Sequence, residues 1–250
     1  MKRREIITGA AMFAAASALA GCAKITNALN ENDAIKSVLH AAEPLNHAVI
    51  GTRGEAKLYP DSAIDREFRV NGFDTPSDSA YAALRRDGFA SYKLVVEGLV
   101  DRPQAFTLAQ LRALGSLTQT TRHDCVEGWS AIGKWSGVRL SSVLALAAPQ
   151  TRARYVIFHC LDRSSDGDTY YESLDMHQAA HPQALLALDL NERPLDADHG
   201  APVRLRVPTQ LGYKSAKWVG RIEVADSFKN VGSGKGGYWE DQGYDWYAGI

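Results

Sequence analysis

Apolar and polar positions change their rhythm several times along the chain. Residues 6–20 form a continuous, Ala-rich apolar run behind Lys2, Arg3 and Arg4, whereas residues 23–60 are polar and weakly patterned. From Ser91 the text becomes regular. Residues 92–100 predict a strand ending near Pro103. Thr107-Leu-Ala-Gln110 is a capping-box pattern that opens a short helix, with Leu108, Leu111 and Leu114 facing in and Gly115 closing it. Residues 117–121 predict another strand, running into Arg122-His-Asp-Cys125. Residues 140–148 fit a helix stopped by Pro149, and residues 155–161 a buried strand. Val203, Leu205 and Val207, followed by residues 218–224, suggest two strands paired in one sheet. The tail, residues 232–250, holds six glycines and five aromatics in 19 residues, which predicts a packed irregular loop. Strands and short helices without regular βαβ spacing predict an α+β fold with a mixed sheet.

The chain has 250 residues, 45% hydrophobic and 23% charged, with 28 basic and 29 acidic side chains. That balance excludes a disordered chain, a collagen or a coiled coil, and the length permits a sizeable core. A net charge of -1 offers no clustered basic excess, so no nucleic-acid partner is expected. Residues 1–22 have the anatomy of a secretory signal: a positive start, then an apolar run too short to cross a bilayer as a helix. Arg3-Arg4 resembles the twin-arginine export signal, used for proteins that fold around a cofactor before crossing the membrane. Leu19-Ala-Gly-Cys22 resembles the bacterial lipobox, in which the cysteine is lipidated and becomes the mature N-terminus. The expected organisation is an export signal at 1–21, a tether and arm at 22–60, and one domain at 61–250. The expected location is the periplasm, with Cys22 as a membrane anchor.

Three cysteines, Cys22, Cys125 and Cys160, are too few for a disulfide scaffold. Cys125 stands where a strand gives way to a polar loop containing Gly128. A thiol there can point into a cleft, and a thiolate suits soft metals; alone, however, a cysteine is usually a small buried hydrophobe. The surrounding blocks bear on this. Arg122-His-Asp-Cys125-Val-Glu-Gly-Trp129-Ser is followed by Trp135-Ser-Gly-Val138-Arg-Leu140 and residues 155–160. Leu190-Asn-Glu-Arg-Pro-Leu195, His199-Gly-Ala-Pro-Val-Arg204-Leu-Arg-Val and Gly212-Tyr-Lys-Ser-Ala-Lys217-Trp complete the series. Together they resemble the molybdopterin-binding catalytic domain of the sulfite oxidase family across residues 60–250. The resemblance is nearest to the compact bacterial branch that includes the periplasmic protein-methionine-sulfoxide reductase catalytic subunit.

The resemblance implies a molybdenum–molybdopterin cofactor, with Cys125 as the single protein ligand to the metal. Asn71 falls at an N-terminal pterin contact. Cys160 occupies a cofactor-contact position that is Thr in the methionine-sulfoxide branch. His199 and Arg204 match cofactor contacts, His199 standing where that branch has Asn. Ser215, Ala216 and Lys217 match a loop whose backbone and lysine bind the pterin phosphate. The family places a tyrosine near the metal; Tyr238, Tyr244 and Tyr247 are available, with Tyr238 the candidate, and Glu127 and Trp129 are candidates to line the pocket. These residue types suit the ligand, because a dianionic phosphate wants an Arg fork, a Lys point charge and backbone N–H donors. Arg204 alternates with Val203 and Leu205, so it can face a cleft while its neighbours fill the core. A solvated sheet edge is the other reading of Arg204, Arg206 and Lys217. His123 and Asp124 either tune the site from behind the ligand or are ordinary packed residues.

Other motifs carry less. His177-Gln-Ala-Ala-His181 mimics a zinc-hydrolase helix, but Gln178 replaces the required Glu and Pro182 follows. Gly232-Ser-Gly-Lys235 is not a phosphate loop, since Gly follows the Lys. No Cys-x-x-Cys-His is present, so no c-type haem is expected. A Cys125–Cys160 disulfide would consume the metal ligand. The expected function is an exported molybdenum oxidoreductase that moves an oxygen atom to or from a small substrate at sulfur, by sulfite oxidation or sulfoxide reduction. It would travel through the twin-arginine export machinery and exchange electrons with a separate cytochrome or membrane haem or quinone protein. The family's sulfite oxidases carry an extra immunoglobulin-like dimerisation domain for which this chain leaves no room, so a monomer is expected. Competing readings are a lipid-anchored binding or assembly protein of the same fold, and a zinc hydrolase working through His177 and His181.

Overall fold

The computed structural model describes residues 41, 43–49, 54–163, 167 and 169–250. The export signal, the lipobox and Cys22 lie outside the described residues. The chain divides into two compact units, Met1–Ala48 and Val49–Ile250, and the second carries everything that follows.

Helix α1 (Ser79–Arg86) is capped by the Asp78 carboxylate, which accepts from the N–H groups of Ala80 and Tyr81. Strands β1 (Leu94–Gly98) and β2 (Gln104–Phe106) pair antiparallel, and α2 (Leu108–Ala113) follows with the expected reciprocal Thr107–Gln110 box. Strands β3 (Leu117–Asp124) and β4 (Ser130–Arg139) form a long hairpin, in register from Leu117↔Gly137 to Asp124↔Ser130. Helix α3 (Leu140–Ala147) ends at Ala148, in left-handed backbone just before Pro149. Then come β5 (Tyr155–Arg163), β6 (Thr169–Asp175), the single-turn α4 (Met176–Ala179), β7 (Leu185–Leu190), β8 (Arg193–Pro194), β9 (Arg204–Arg206) and β10 (Val219–Ala225). The tail is irregular, as expected, except for a one-turn helix, α5 (Tyr238–Asp241).

The strands make two sheets. One has the order β2-β1-β10-β5-β6, with β1 and β10 parallel and its other pairs antiparallel; the second runs β3-β4-β7-β8, with β9 also on β7. The fold is therefore α+β with mixed pairing. One expectation is corrected: β9 and β10 do not pair with each other. β9 joins β7 (Leu186↔Leu205), while β10 lies between β1 and β5. Both faces of β9 are buried, because Val203, Leu205 and Val207 fill the main core while Arg204 and Arg206 point the other way and are equally sealed. A strand buried on both sides cannot be the half-solvated hairpin that alternation alone suggests.

Before α1, the arm closes an edge. Tyr59 N–H donates to Thr120 O (2.9 Å), and the Gln183 amide holds both backbone groups of Ala56, at 2.6 and 3.0 Å. Residues 56–59 thereby cover the outer side of β3.

Candidate active site

Cys125 sits at the tip of the β3–β4 hairpin. Its N–H donates to Trp129 O (2.9 Å) and its carbonyl accepts from Gly128 N–H (3.1 Å), which fixes a tight turn with Gly128 at φ 86°. Trp129 Nε1 donates to Glu127 Oε2 (2.9 Å), and Asp124 at the base is held by Arg122 and by Ser130 Oγ (2.5 Å). The half-buried thiol faces a cavity of about 270 Å³. Five other segments close that cavity: residues 71–73, Asp162 of β5, Tyr170 of β6, residues 212–217, and the tail through Trp239 and Tyr244.

Five of the residues nominated from sequence line this one space: Asn71, Cys125, Ser215, Ala216 and Lys217. Arg204 stands directly behind Asn71, donating to Asn71 Oδ1 (3.2 Å) and to His199 O (3.2 Å). His199 reaches the site only through that carbonyl, for its ring is bound between Asp196 Oδ1 (2.8 Å) and Phe68 O (2.9 Å). Cys160 is buried in the main core and is not among the lining residues. Tyr238 does not line the cavity either: it stacks on Tyr170 and lines a separate cleft with His159, Tyr171 and Asp241. Of the three candidate tyrosines, Tyr244 is the one at the cavity wall, while Glu127 lines it and Trp129 does not.

The electrostatics are unusual. Arg204, Arg206 and Lys217 are all buried, and among the described residues none is in an ion pair. Burial pushes the Arg204 and Arg206 guanidinium groups down to about 10 and about 9, and the Lys217 ammonium down to about 7. Their hydrogen bonds go to neutral groups. Lys217 Nζ donates to Phe73 O (2.8 Å) and Asp198 O (3.1 Å). Arg206 donates to Ser215 Oγ (3.2 Å), Thr121 Oγ1 (3.3 Å) and His123 Nδ1 (2.8 Å). Because an arginine only donates, His123 accepts at Nδ1 and is neutral; burial, then Arg206 and Arg204, hold its pKa well below the ordinary value. The two guanidinium groups lie over the face of Trp135, 5.3 and 4.7 Å from its ring centroid. The solvated-edge reading of these cations is thus overturned: strand β9 turns them inward.

Sequence reasoning missed Asp162. It is 2% exposed, lines the cavity, has no partner at Oδ1, and is pushed up to about 7 by burial. The signal was present, as a lone carboxylate closing the apolar run of β5. Tyr170 and Phe73, also in the wall, carry no distinguishing sequence signal.

The donor set fits a molybdopterin. Among the described residues no three His, Cys, Asp or Glu side chains gather to hold a metal, and a cofactor that brings its own sulfur ligands suits a single cysteine such as Cys125. Arg204 Nε, Arg206 Nε and His123 Nε2 are buried without partners, and a buried unpaired cation favours an anion beside it. Gly212 belongs to the same arrangement, since a Cβ there would run into the His123 imidazole. The zinc-hydrolase alternative finds no such support: Gln178 is buried in a capping box with Asp175, and His181 Nδ1 accepts from Gln183 N–H (3.1 Å). The Gly232–Lys235 segment is likewise occupied, its Ser233 and Lys235 N–H groups donating to Asp241.

Residues 81–231 match the family described as "Oxidoreductase molybdopterin binding domain". The chain belongs to that family. This molybdopterin oxidoreductase is 39% identical over 251 residues to the "Putative protein-methionine-sulfoxide reductase subunit YedZ1" of Azospira oryzae, covering 99% of this chain and 87% of that protein. It is 32% identical to the "Protein-methionine-sulfoxide reductase catalytic subunit MsrP" of Ralstonia nicotianae, covering 90% of this chain and 69% of that one. Among solved structures it resembles the sulfane dehydrogenase SoxCD of Paracoccus pantotrophus, with 26% identity and a TM-score of 0.50. That likeness covers 55% of this chain and 39% of the solved one. The fold and the molybdopterin-dependent oxidoreductase class both follow from these likenesses.

Proposed function

We propose that the protein is an exported molybdenum–molybdopterin oxidoreductase that removes an oxygen atom from a sulfoxide, with electrons delivered by a separate redox protein. The observation that carries this reading is the convergence of Cys125 with Lys217, and with Arg204 and Arg206 close behind, the three cations sealed and, among the described residues, without carboxylate partners. The likeness to methionine-sulfoxide reductase subunits supports the substrate class and the direction. Arg3-Arg4 and the lipobox-like Cys22 support export to the periplasm and anchoring there.

Bound at Cys125, the cofactor supplies a two-electron centre that exchanges an oxygen atom; the protein's part is binding, orientation and electrostatics. Burial raises the Cys125 thiol pKa, so its proton leaves when a metal takes its place. Lys217, the Ser215 hydroxyl and the Arg206 that donates to it form a basic floor suited to a phosphate. Arg204 steadies Asn71 for the pterin. Trp239, Tyr244, Phe73 and Tyr170 exclude water from the space above. Overall, the S–O bond breaks, two electrons and two protons are consumed, and the oxygen leaves as water.

Protein recovered from its native export route should carry one molybdenum and one pterin per chain, and should reduce methionine sulfoxide with a reduced viologen dye. Absence of both metal and pterin sinks the reading. Sulfite oxidation with ferricyanide, without sulfoxide reduction, would reverse its direction. Cys125→Ser should lose activity by about 10³-fold or more while retaining the pterin; a Cys125→Ser chain that binds the cofactor, turns over no sulfoxide and still keeps full function in the cell would favour the non-catalytic binding protein.

A further inference from the structure

Lys214 is wholly buried, and its ammonium meets two carboxylates that are equally sealed, Glu172 and Glu240 (Oε1, 2.6 Å). The three residues come from three walls of the cavity: β6, the Gly212–Lys214 turn and α5. Each adjoins a lining residue. Tyr170 lies two positions before Glu172 on the same strand face, Tyr213 and Ser215 bracket Lys214, and Trp239 precedes Glu240. Two carboxylates around one ammonium would leave an uncompensated charge. Burial, then Glu240, push the Glu172 carboxyl well above its ordinary value, a direction that relieves that charge. As a means of holding packing such a cluster is expensive, since apolar side chains of the same shape would serve as well. What it adds is direction: it fixes where three separate elements meet.

We propose that Lys214, Glu172 and Glu240 are positioning residues that clamp the tail wall, Trp239 and Tyr244, against the 212–217 loop and so set the width of the substrate space. The wall is tied together as one piece. Tyr244 N–H donates to Trp239 O (3.0 Å), and the two rings stack at 5.3 Å and 26°. Tyr213 joins the two sides, its OH donating to Asp245 O (2.7 Å) and its ring meeting Tyr244 edge-on at 5.3 Å. The nature of the substrate rests on the proposed function; the clamp itself does not.

The test compares Glu240→Ala and Glu240→Gln in the full chain, with and without cofactor. In the loaded enzyme, Glu240→Ala raises KM for methionine sulfoxide about tenfold and changes kcat less than about threefold. In loaded and cofactor-free protein alike, it increases acrylamide quenching of tryptophan emission and speeds tryptic cleavage after Lys229 and Lys235. Glu240→Gln, which keeps a hydrogen bond to Lys214, recovers most of each change. If Glu240→Ala does not fold, Glu240→Asp replaces it, and the same directions are required. Unchanged quenching and cleavage overturn the clamp, whatever KM does. If the parent reduces no sulfoxide, the functional reading fails while the quenching and cleavage results still decide the clamp.

Discussion

Two lysines three residues apart meet opposite fates in the same loop. Lys214 is sealed between two carboxylates, whereas Lys217 is sealed among backbone carbonyls, close to Arg204 and, among the described residues, with no ion-pair partner. Burial works against the charged form of both, but acidic partners more than offset it for Lys214 and raise its pKa. A buried cation that is matched belongs to the architecture. One left unmatched is held ready for an anion that arrives later. Within one loop, partnering distinguishes the two lysines where burial alone would not.

The strongest way to break the contrast is Lys214→Met, which leaves Glu172 and Glu240 facing each other without a counter-charge. A loss of about 3–5 kcal/mol in urea unfolding is expected, with partial recovery when Glu240→Gln is added. Lys217→Met should do the reverse. The cofactor-free protein should stay within about 1 kcal/mol of the parent, because an unpaired buried charge is removed, while pterin content falls about tenfold or more. Denaturation midpoints and pterin fluorescence after denaturation check the pair.

pH sharpens the comparison further. Lys217 is pushed down to about 7 from an ordinary 10.5, so between those values the unfolded chain binds more protons and stability rises with pH. Asp162 is pushed up to about 7 from 3.8, so between those values the folded chain binds more protons and stability falls as pH rises. The cofactor-free protein should therefore show a shallow stability minimum near neutrality from these two groups. Lys217→Met should abolish the gain on the alkaline side, as read from urea midpoints at pH 5, 7 and 9. The smallest effect is expected from Tyr238→Phe, at less than about twofold in kcat/KM, because that side chain lies outside the cavity. Tyr244→Phe should exceed it.

Much of the site is legible in the residues themselves. Cys125 at a strand end and the Arg204 alternation are local patterns that by themselves leave a buried hydrophobe and a solvated edge open; the resemblance, which also names the 215–217 loop, is what selects them, and they converge on one region. The Thr107 box and the stop at Pro149 are equally local, and both helices form where those signals place them. Pairing between distant strands is not written locally. Ser130–Arg139 hides a ten-residue strand behind Gly133, Lys134 and Gly137, because its neighbours β3 and β7 supply the burial. Residues 170–174 of Thr169–Asp175 are sealed although they include Glu172, whose ion-pair partner Lys214 lies 42 positions away. Tyr238 and Tyr244 look alike in a Gly-rich tail; only the turn of α5 decides which of them reaches the cavity.

The arm that covers β3 has a consequence for handling the protein. Because Gln183 grips Ala56 and the chain pairs at Leu58, the segment from Ala56 onward is part of the folded edge. Trimming through Tyr59 bares a row of strand N–H and C=O groups on which another molecule can dock, and invites edge-to-edge aggregation.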